Sequence, residues 1–99
     1  LSDTPVISMD DVETSYYLRM LVIDKPGVMA EITRIVAEND ISISALIQKE
    51  PSSDSDRVNV IMLTHLTVEK NINAAIARIE SLSVVTNKVI RIRIEELNN

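Results

Sequence analysis

The sequence predicts an α+β sandwich, a four-stranded antiparallel sheet with two helices laid on one face. Three observations predict it. Apolar residues alternate with a period of two in some segments, as in Leu18, Met20, Val22 and again in Ile90, Ile92, Ile94. In two other segments, opening at Val28 and Val68, they recur at helical spacing. The core-forming residues are nearly all aliphatic: 45% of the 99 residues are apolar, yet Tyr16 and Tyr17 are the only aromatics. That composition suits packed layers and not a disordered chain, and the length suits one domain with a single core.

The elements follow in order. Residues 1–15 read as a lead-in, with an acidic patch at Asp10, Asp11 and Glu13 and no sustained period. Tyr16 to Ile23 alternates, with Leu18, Met20 and Val22 on one face and Arg19 on the other, and is the first strand. Val28, Met29, Ile32, Ile35 and Val36 then form one helical stripe, away from Glu31, Arg34 and Glu38. Asn39-Asp40 ends that helix through a left-handed residue. Ile41, Ile43, Ala45 and Ile47 mark the second strand. Glu50 to Asp56 is a polar hairpin loop containing Pro51. Val58 to Thr64 is nearly continuously apolar, as expected of a strand buried on both sides. Thr67 is placed to cap a second helix whose stripe is Val68, Ile72, Ala75, Ile76 and Ile79. A last strand runs from Val89 to Glu95. Strand, helix, strand, strand, helix, strand is the split βαβ, or ferredoxin-like, plan. The second strand falls at a sheet edge, which natural proteins protect, commonly with a second copy.

Composition excludes several roles. A net charge of −5 argues against nucleic acid, which requires clustered Lys and Arg. Without cysteine there is neither a disulfide framework nor thiolate chemistry, in keeping with a cytoplasmic location. No apolar run approaches the roughly 20 residues of a membrane span. A dinucleotide-binding turn needs three glycines, and Gly27 is the only one, so no cofactor is expected to bind here. The acidic patch has no neighbouring ligand cluster, so no metal site is expected either. His65 is the single histidine, with no nucleophile set around it. It reads as a structural histidine or as one at a pocket or interface. The segment is expected to have no catalytic residues.

The informative motif is Asp24-Lys25-Pro26-Gly27, between the first strand and the first helix. Pro26 is expected in the first helical turn, where its missing N–H leaves no bond unmade. Gly27 has no side chain to hold another molecule off the backbone. The amides from Gly27 through Val28 and Met29 precede the first intrahelical acceptor and carry the positive end of the helix dipole. They suit a carboxylate, and Asp24 beside them suits an ammonium group. Together they describe a receptor for an amino acid, although the same residues also make an ordinary strand-to-helix turn.

Tyr16-Tyr17-Leu18-Arg19-Met20, Asp24 through Ile32, Ile41-Ser42-Ile43, Gln48-Lys49-Glu50-Pro51 and Val60 through His65 resemble the ACT domain, a small regulatory ligand-binding module. More narrowly they resemble the C-terminal ACT domain of bacterial homoserine dehydrogenases. Pro5 to Val12 is similar to the tether that enters the domain there. The resemblance implies a linker over 1–15 from an upstream catalytic domain, an ACT domain over 16–96 and a short tail over 97–99. The parent enzyme it implies reduces aspartate semialdehyde to homoserine with NADP or NAD as cofactor, on the route to threonine, methionine and isoleucine. It implies a homodimer joined by a sheet edge or the helical faces. The bound amino acid, threonine as the end product, would lie where the Asp24–Met29 loop of one subunit meets Ser42 of its neighbour. Gln48, on the same face as Ser42 by the period of two, would line that interface.

Two other readings stand beside the receptor. One is a dimerisation module with no ligand. The other is a small acyl-phosphate hydrolase on the same fold, which needs an Arg-rich phosphate loop where this chain has only Lys25.

Overall fold

A computed structural model describes residues 12–49 and 56–94. The lead-in through residue 11, the hairpin loop over 50–55 and the last residues, 95–99, lie outside them. The elements are β1 (Glu13–Ile23), α1 (Val28–Glu38), β2 (Ile43–Gln48), β3 (Arg57–Thr64), β4 (Thr67–Val68), α2 (Glu69–Glu80) and β5 (Ile90–Ile94). All pairings are antiparallel: β2 on β3, β3 on β1, and β5 on the other side of β1. The strand order and the two helices are those of the predicted plan.

The sheet differs from the expectation in having five strands. β4 pairs with β1 at Glu13↔Val68 and Thr14↔Thr67, while β3 pairs at Tyr17↔Leu63. From Thr14 to Tyr17 is three residues and from Leu63 to Thr67 is four, so β4 continues the line of β3 after one extra residue. At the break Thr64 Oγ1 accepts the Tyr16 N–H at 3.0 Å. Thr67 is therefore a strand residue and not a helix cap: the N-cap of α2 is Val68, with no side-chain cap. β1 in turn begins at Glu13, three residues before the alternation becomes visible, because it takes Thr67 and Val68 as partners.

The core lies between the helices and one face of the sheet. β1 contributes Tyr16, Leu18, Met20 and Val22, β3 contributes Val58, Val60 and Met62, and all are at most 2% exposed. Ile32, Ile35 and Val36 of α1 and Ile72, Ala75 and Ile79 of α2 meet them. The helical stripes thus face the sheet as their spacing requires. α1 ends in a left-handed residue, Asp40 at φ 59°, as expected. The Ile41 N–H bonds to the Val36 carbonyl at 3.2 Å and the Asp40 N–H to that of Ala37 at 3.0 Å. This Schellman closure drops Ile41 into the core. Across the outside of the helices, Glu31, Arg34, Glu38 and Arg78 form a chain of ion pairs of 2.5–3.0 Å.

One expectation about sidedness fails, and the alternation of β5 left its sidedness open. β3 is not buried on both sides, since Asn59, Ile61 and Leu63 are only half-buried. In β5 the isoleucines face away from the helices: Ile90 is 52% and Ile92 56% exposed. Register decides this. Ile92 pairs with Tyr17 and Ile90 with Arg19, whereas Arg93 pairs with Tyr16 and Arg91 with Leu18. Paired residues point to the same side of a sheet, so both arginines turn toward the helices. There Arg91 donates to Asn73 of α2. The outer face of the sheet consequently carries two rows that cross all the long strands, Ala45–Leu63–Tyr17–Ile92 and Ile47–Ile61–Arg19–Ile90.

Candidate functional site

The β1–α1 connection is a tight turn built by its own backbone. The Lys25 N–H donates to the Ile23 carbonyl at 3.0 Å, and the Val28 N–H to that of Lys25 at 3.3 Å. Pro26 lies in this turn, ahead of the helix, which starts at Val28. Its fixed φ therefore shapes the turn, and the expectation that it stands in the first helical turn fails. Gly27 is the N-cap, at φ 86° and ψ −13°, and its carbonyl accepts the Glu31 N–H at 3.0 Å. The positive φ is reason enough for a glycine here. The space a side chain would take is also open, with no atom beyond the neighbouring residues Pro26 and Val28 within 4 Å of a Cβ built on Gly27.

Two clamps hold the turn against the rest of the fold. The Ile23 N–H donates to the Val84 carbonyl at 2.8 Å and the Asp24 N–H to that of Asp56 at 2.7 Å. Val85 bridges Val22, so the segment after α2 runs beside the end of β1. The result is an open cleft of about 330 Å³ lined by Lys25, Pro26, Gly27, Val28, Glu31, Leu82, Ser83 and Val84.

Of the residues expected at the site, Pro26, Gly27 and Val28 line this cleft. Asp24 is exposed next to it, and Met29 is half-buried against the core. The amides of Met29 and Ala30 precede the first intrahelical acceptor, so the helix itself does not use them. Val28 offers less than expected, because its N–H is already committed to Lys25. Its side chain, 7% exposed, floors the cleft with apolar surface.

Ser42 and Gln48 are not brought to the same place. β2 runs from Ile43, paired with Thr64 at one end of β3, to Gln48, paired with Val60 toward the other. Ser42 therefore sits at the end of the sheet opposite the Asp24 turn. There its carbonyl accepts the N–H of His65, whose side chain is exposed and not buried at a strand end. The period of two fails between Ser42 and Gln48 because the register shifts between Ile43 and Ala45. Past that bulge Ala45 and Ile47 face outward, while Leu46 and Gln48 share the side of Met62 and Val60. Within one chain Ser42 cannot meet the turn, and only a neighbouring copy would bring it there.

Sequence reading missed Lys25 and Glu31 as cleft residues and the whole of Leu82-Ser83-Val84. The last three carry no period and lie between elements, so no sequence signal marks them. Glu31 was legible as the acidic residue of the first turn of α1, but its carboxylate is bound to Arg34 at 2.5 Å. The cleft thus offers an ammonium from Lys25, free amides, one neutralised carboxylate and a hydroxyl from Ser83, over an apolar floor.

A family model for the ACT domain matches residues 16–84. The chain belongs to the ACT domain family. Homoserine dehydrogenase of Methylobacillus glycogenes is 49% identical to this ACT domain over 98 residues, which is 99% of the chain and 24% of that protein. The crystal structure of a homoserine dehydrogenase from Thiobacillus denitrificans superposes with a TM-score of 0.86 at 52% identity, over 99% of this chain and 21% of that one. The domain thus spans about a quarter of the length of such proteins. The ACT domain from GTP pyrophosphokinase of Chlorobium tepidum, at 14% identity, superposes with a TM-score of 0.65 over 82% of this chain and 100% of that one, a likeness of fold.

Proposed function

We propose that this ACT domain is the amino-acid-sensing part of a homoserine dehydrogenase, and that threonine is what it senses. The parent chain would reduce aspartate semialdehyde to homoserine with NADP or NAD, both held by parts of the protein other than this one. The observation that carries the reading is the cleft at the N-terminus of α1, open in front of Gly27 and beside Asp24. A free amino acid is a zwitterion with a small side chain. Its carboxylate fits the Met29 and Ala30 amides and the Lys25 ammonium, its ammonium fits Asp24, and its side chain fits the apolar floor of Val28, Leu82 and Val84. The likeness to homoserine dehydrogenases over nearly the whole chain supports the parent activity.

Calorimetric titration of the chain with threonine, methionine, isoleucine and lysine tests the reading. Threonine is expected to bind, and Asp24→Ala to weaken it roughly tenfold to a hundredfold, the worth of one charge-assisted hydrogen bond. If none of the four binds at millimolar concentration, the domain is a dimerisation module, the alternative reading. If threonine binds equally well after Asp24→Ala, the ammonium partner lies elsewhere. Regulation also requires the ligand to favour one of two states of the parent, because equal affinity for both would shift neither.

A further inference from the structure

We propose that Ser83 reads the side chain of the bound amino acid, so that the cleft selects a small amino acid with a β-hydroxyl over the isostere with a methyl in its place. The inference rests on the reading of the cleft as an amino-acid receptor and goes beyond it. That reading accounts for the ligand's carboxylate and ammonium but leaves its side chain on an apolar floor. Valine has nearly the shape of threonine, and apolar contact alone discriminates poorly between the two. A polar group on the cleft wall is needed to separate them.

The segment that follows α2 carries hydroxyls at Ser81, Ser83 and Thr86, and two of them are spent. Ser81 Oγ donates to the Arg78 carbonyl at 2.6 Å and Thr86 Oγ1 to that of Leu21 at 3.3 Å. Ser83 is exposed, lines the cleft and makes no side-chain hydrogen bond among the described residues. Its place is fixed by what flanks it. The Val85 N–H donates to the Leu82 carbonyl at 3.1 Å, closing a β-turn with Ser83 and Val84 as its central residues. The Leu82 N–H donates to the Ile79 carbonyl at 3.0 Å, and the Val84 carbonyl takes the Ile23 N–H at 2.8 Å. Leu82 and Val84 pack against the core on either side of Ser83, which is thereby held at the corner of an anchored turn. The other polar groups of the cleft are committed. The carbonyls of Lys25 and Gly27 accept the Val28 and Glu31 N–H groups, and the Glu31 carboxylate is tied to Arg34. Lys25 and Asp24 answer the ligand's own charges. A serine hydroxyl both donates and accepts, so it meets a ligand hydroxyl in either sense. A ligand with a methyl there leaves Ser83 to water, because Ser83 is exposed. The selectivity is therefore that of one neutral hydrogen bond, roughly threefold to tenfold, and not the much larger factor of a buried site.

Calorimetric titration of the chain with threonine and with valine, each on the parent, Ser83→Ala and Ser81→Ala, tests this. The parent should bind threonine roughly threefold to tenfold more tightly than valine. Ser83→Ala should bring the two affinities together by weakening threonine alone. Ser81→Ala should leave their ratio as it is, since that hydroxyl is spent on Arg78. A merely structural role of Ser83 would lower both affinities together and keep the ratio. Urea midpoints confirm that each variant is folded. If valine binds as tightly as threonine, or if Ser83→Ala leaves the ratio unchanged, the proposal is overturned while the cleft stands as the receptor. If neither amino acid binds at millimolar concentration, the receptor reading falls and this proposal falls with it.

Discussion

Replacing Gly27 separates the two reasons a glycine can stand in this turn. Its φ of 86° is one where an L side chain costs roughly 1–2 kcal/mol. No clash with the rest of the fold adds to that, since nothing beyond the two neighbouring residues lies within 4 Å of the Cβ position. Alanine also stiffens the unfolded chain, which returns about 0.4–1 kcal/mol. Gly27→Ala should therefore cost about 1 kcal/mol net, Gly27→Asn less, because asparagine tolerates the left-handed region, and Gly27→Val more. At a urea slope of about 1–1.5 kcal/mol/M for a chain of this size, the alanine midpoint falls by roughly 0.7–1 M. Threonine affinity is then measured where all variants are folded. Crowding of the Met29 and Ala30 amides should scale with side-chain size, so asparagine should lower affinity more than alanine while lowering stability less. An alanine variant as stable as the parent refutes the strain. Affinities that merely follow stability refute the close approach, and Gly27 is then there for the turn alone.

Three further outcomes follow from the packing. Ile32→Ala empties a fully buried position at the centre of α1 and should cost about 2–5 kcal/mol, read as the shift of the urea midpoint. The Tyr16 hydroxyl is pushed above its ordinary pKa, first by burial and then by Glu69. A raised pKa in the folded state leaves stability intact below about pH 10 and erodes it as pH rises beyond, and Tyr16→Phe should flatten that alkaline fall. Glu38 is held below the usual carboxylate range, first by its hydrogen bond from Arg78 and then by that from Arg34. Its contribution is present above about pH 4.3 and fades on acidification, and Glu38→Gln should remove that acid dependence with little other effect, because the pairs are exposed.

What could be read in advance was whatever repeats. The stripes of α1 and α2 and the alternation of β1 fixed element type and core face, because a helix on a sheet must bury its apolar side. The stop at Asn39-Asp40 was legible because few residues besides glycine tolerate left-handed geometry. β4 was not, because two residues are too few to show a period, and Thr67 resembles a cap until its pairing with Thr14 is known. The sidedness of β5 was not legible either. A period of two says which residues share a face, never which face the helices cover, and a slip of one residue exchanges them.

The same limit governs the site. The Asp24–Gly27 turn was legible because a proline followed by a glycine at positive φ is local chemistry, and the local hydrogen bonds of Lys25 and Val28 complete it. Everything the turn meets was not local. Val84 arrives from the far side of α2, in a segment held to β1 by the bonds of Ile23 to Val84 and of Thr86 to Leu21, and brings Leu82 and Ser83 to the cleft. Ser42 and Gln48 were grouped by a period that the bulge at Ser44 interrupts. One chain therefore presents half of the arrangement that the family resemblance implies, and the other half lies at the opposite end of the sheet. For Ser42 to touch a bound amino acid, a second copy must bring that end of its sheet to the turn. If Ser42→Ala weakens threonine binding at millimolar protein but not at micromolar protein, the two copies complete one site. If it has no effect at either concentration, the cleft of a single chain is the whole receptor.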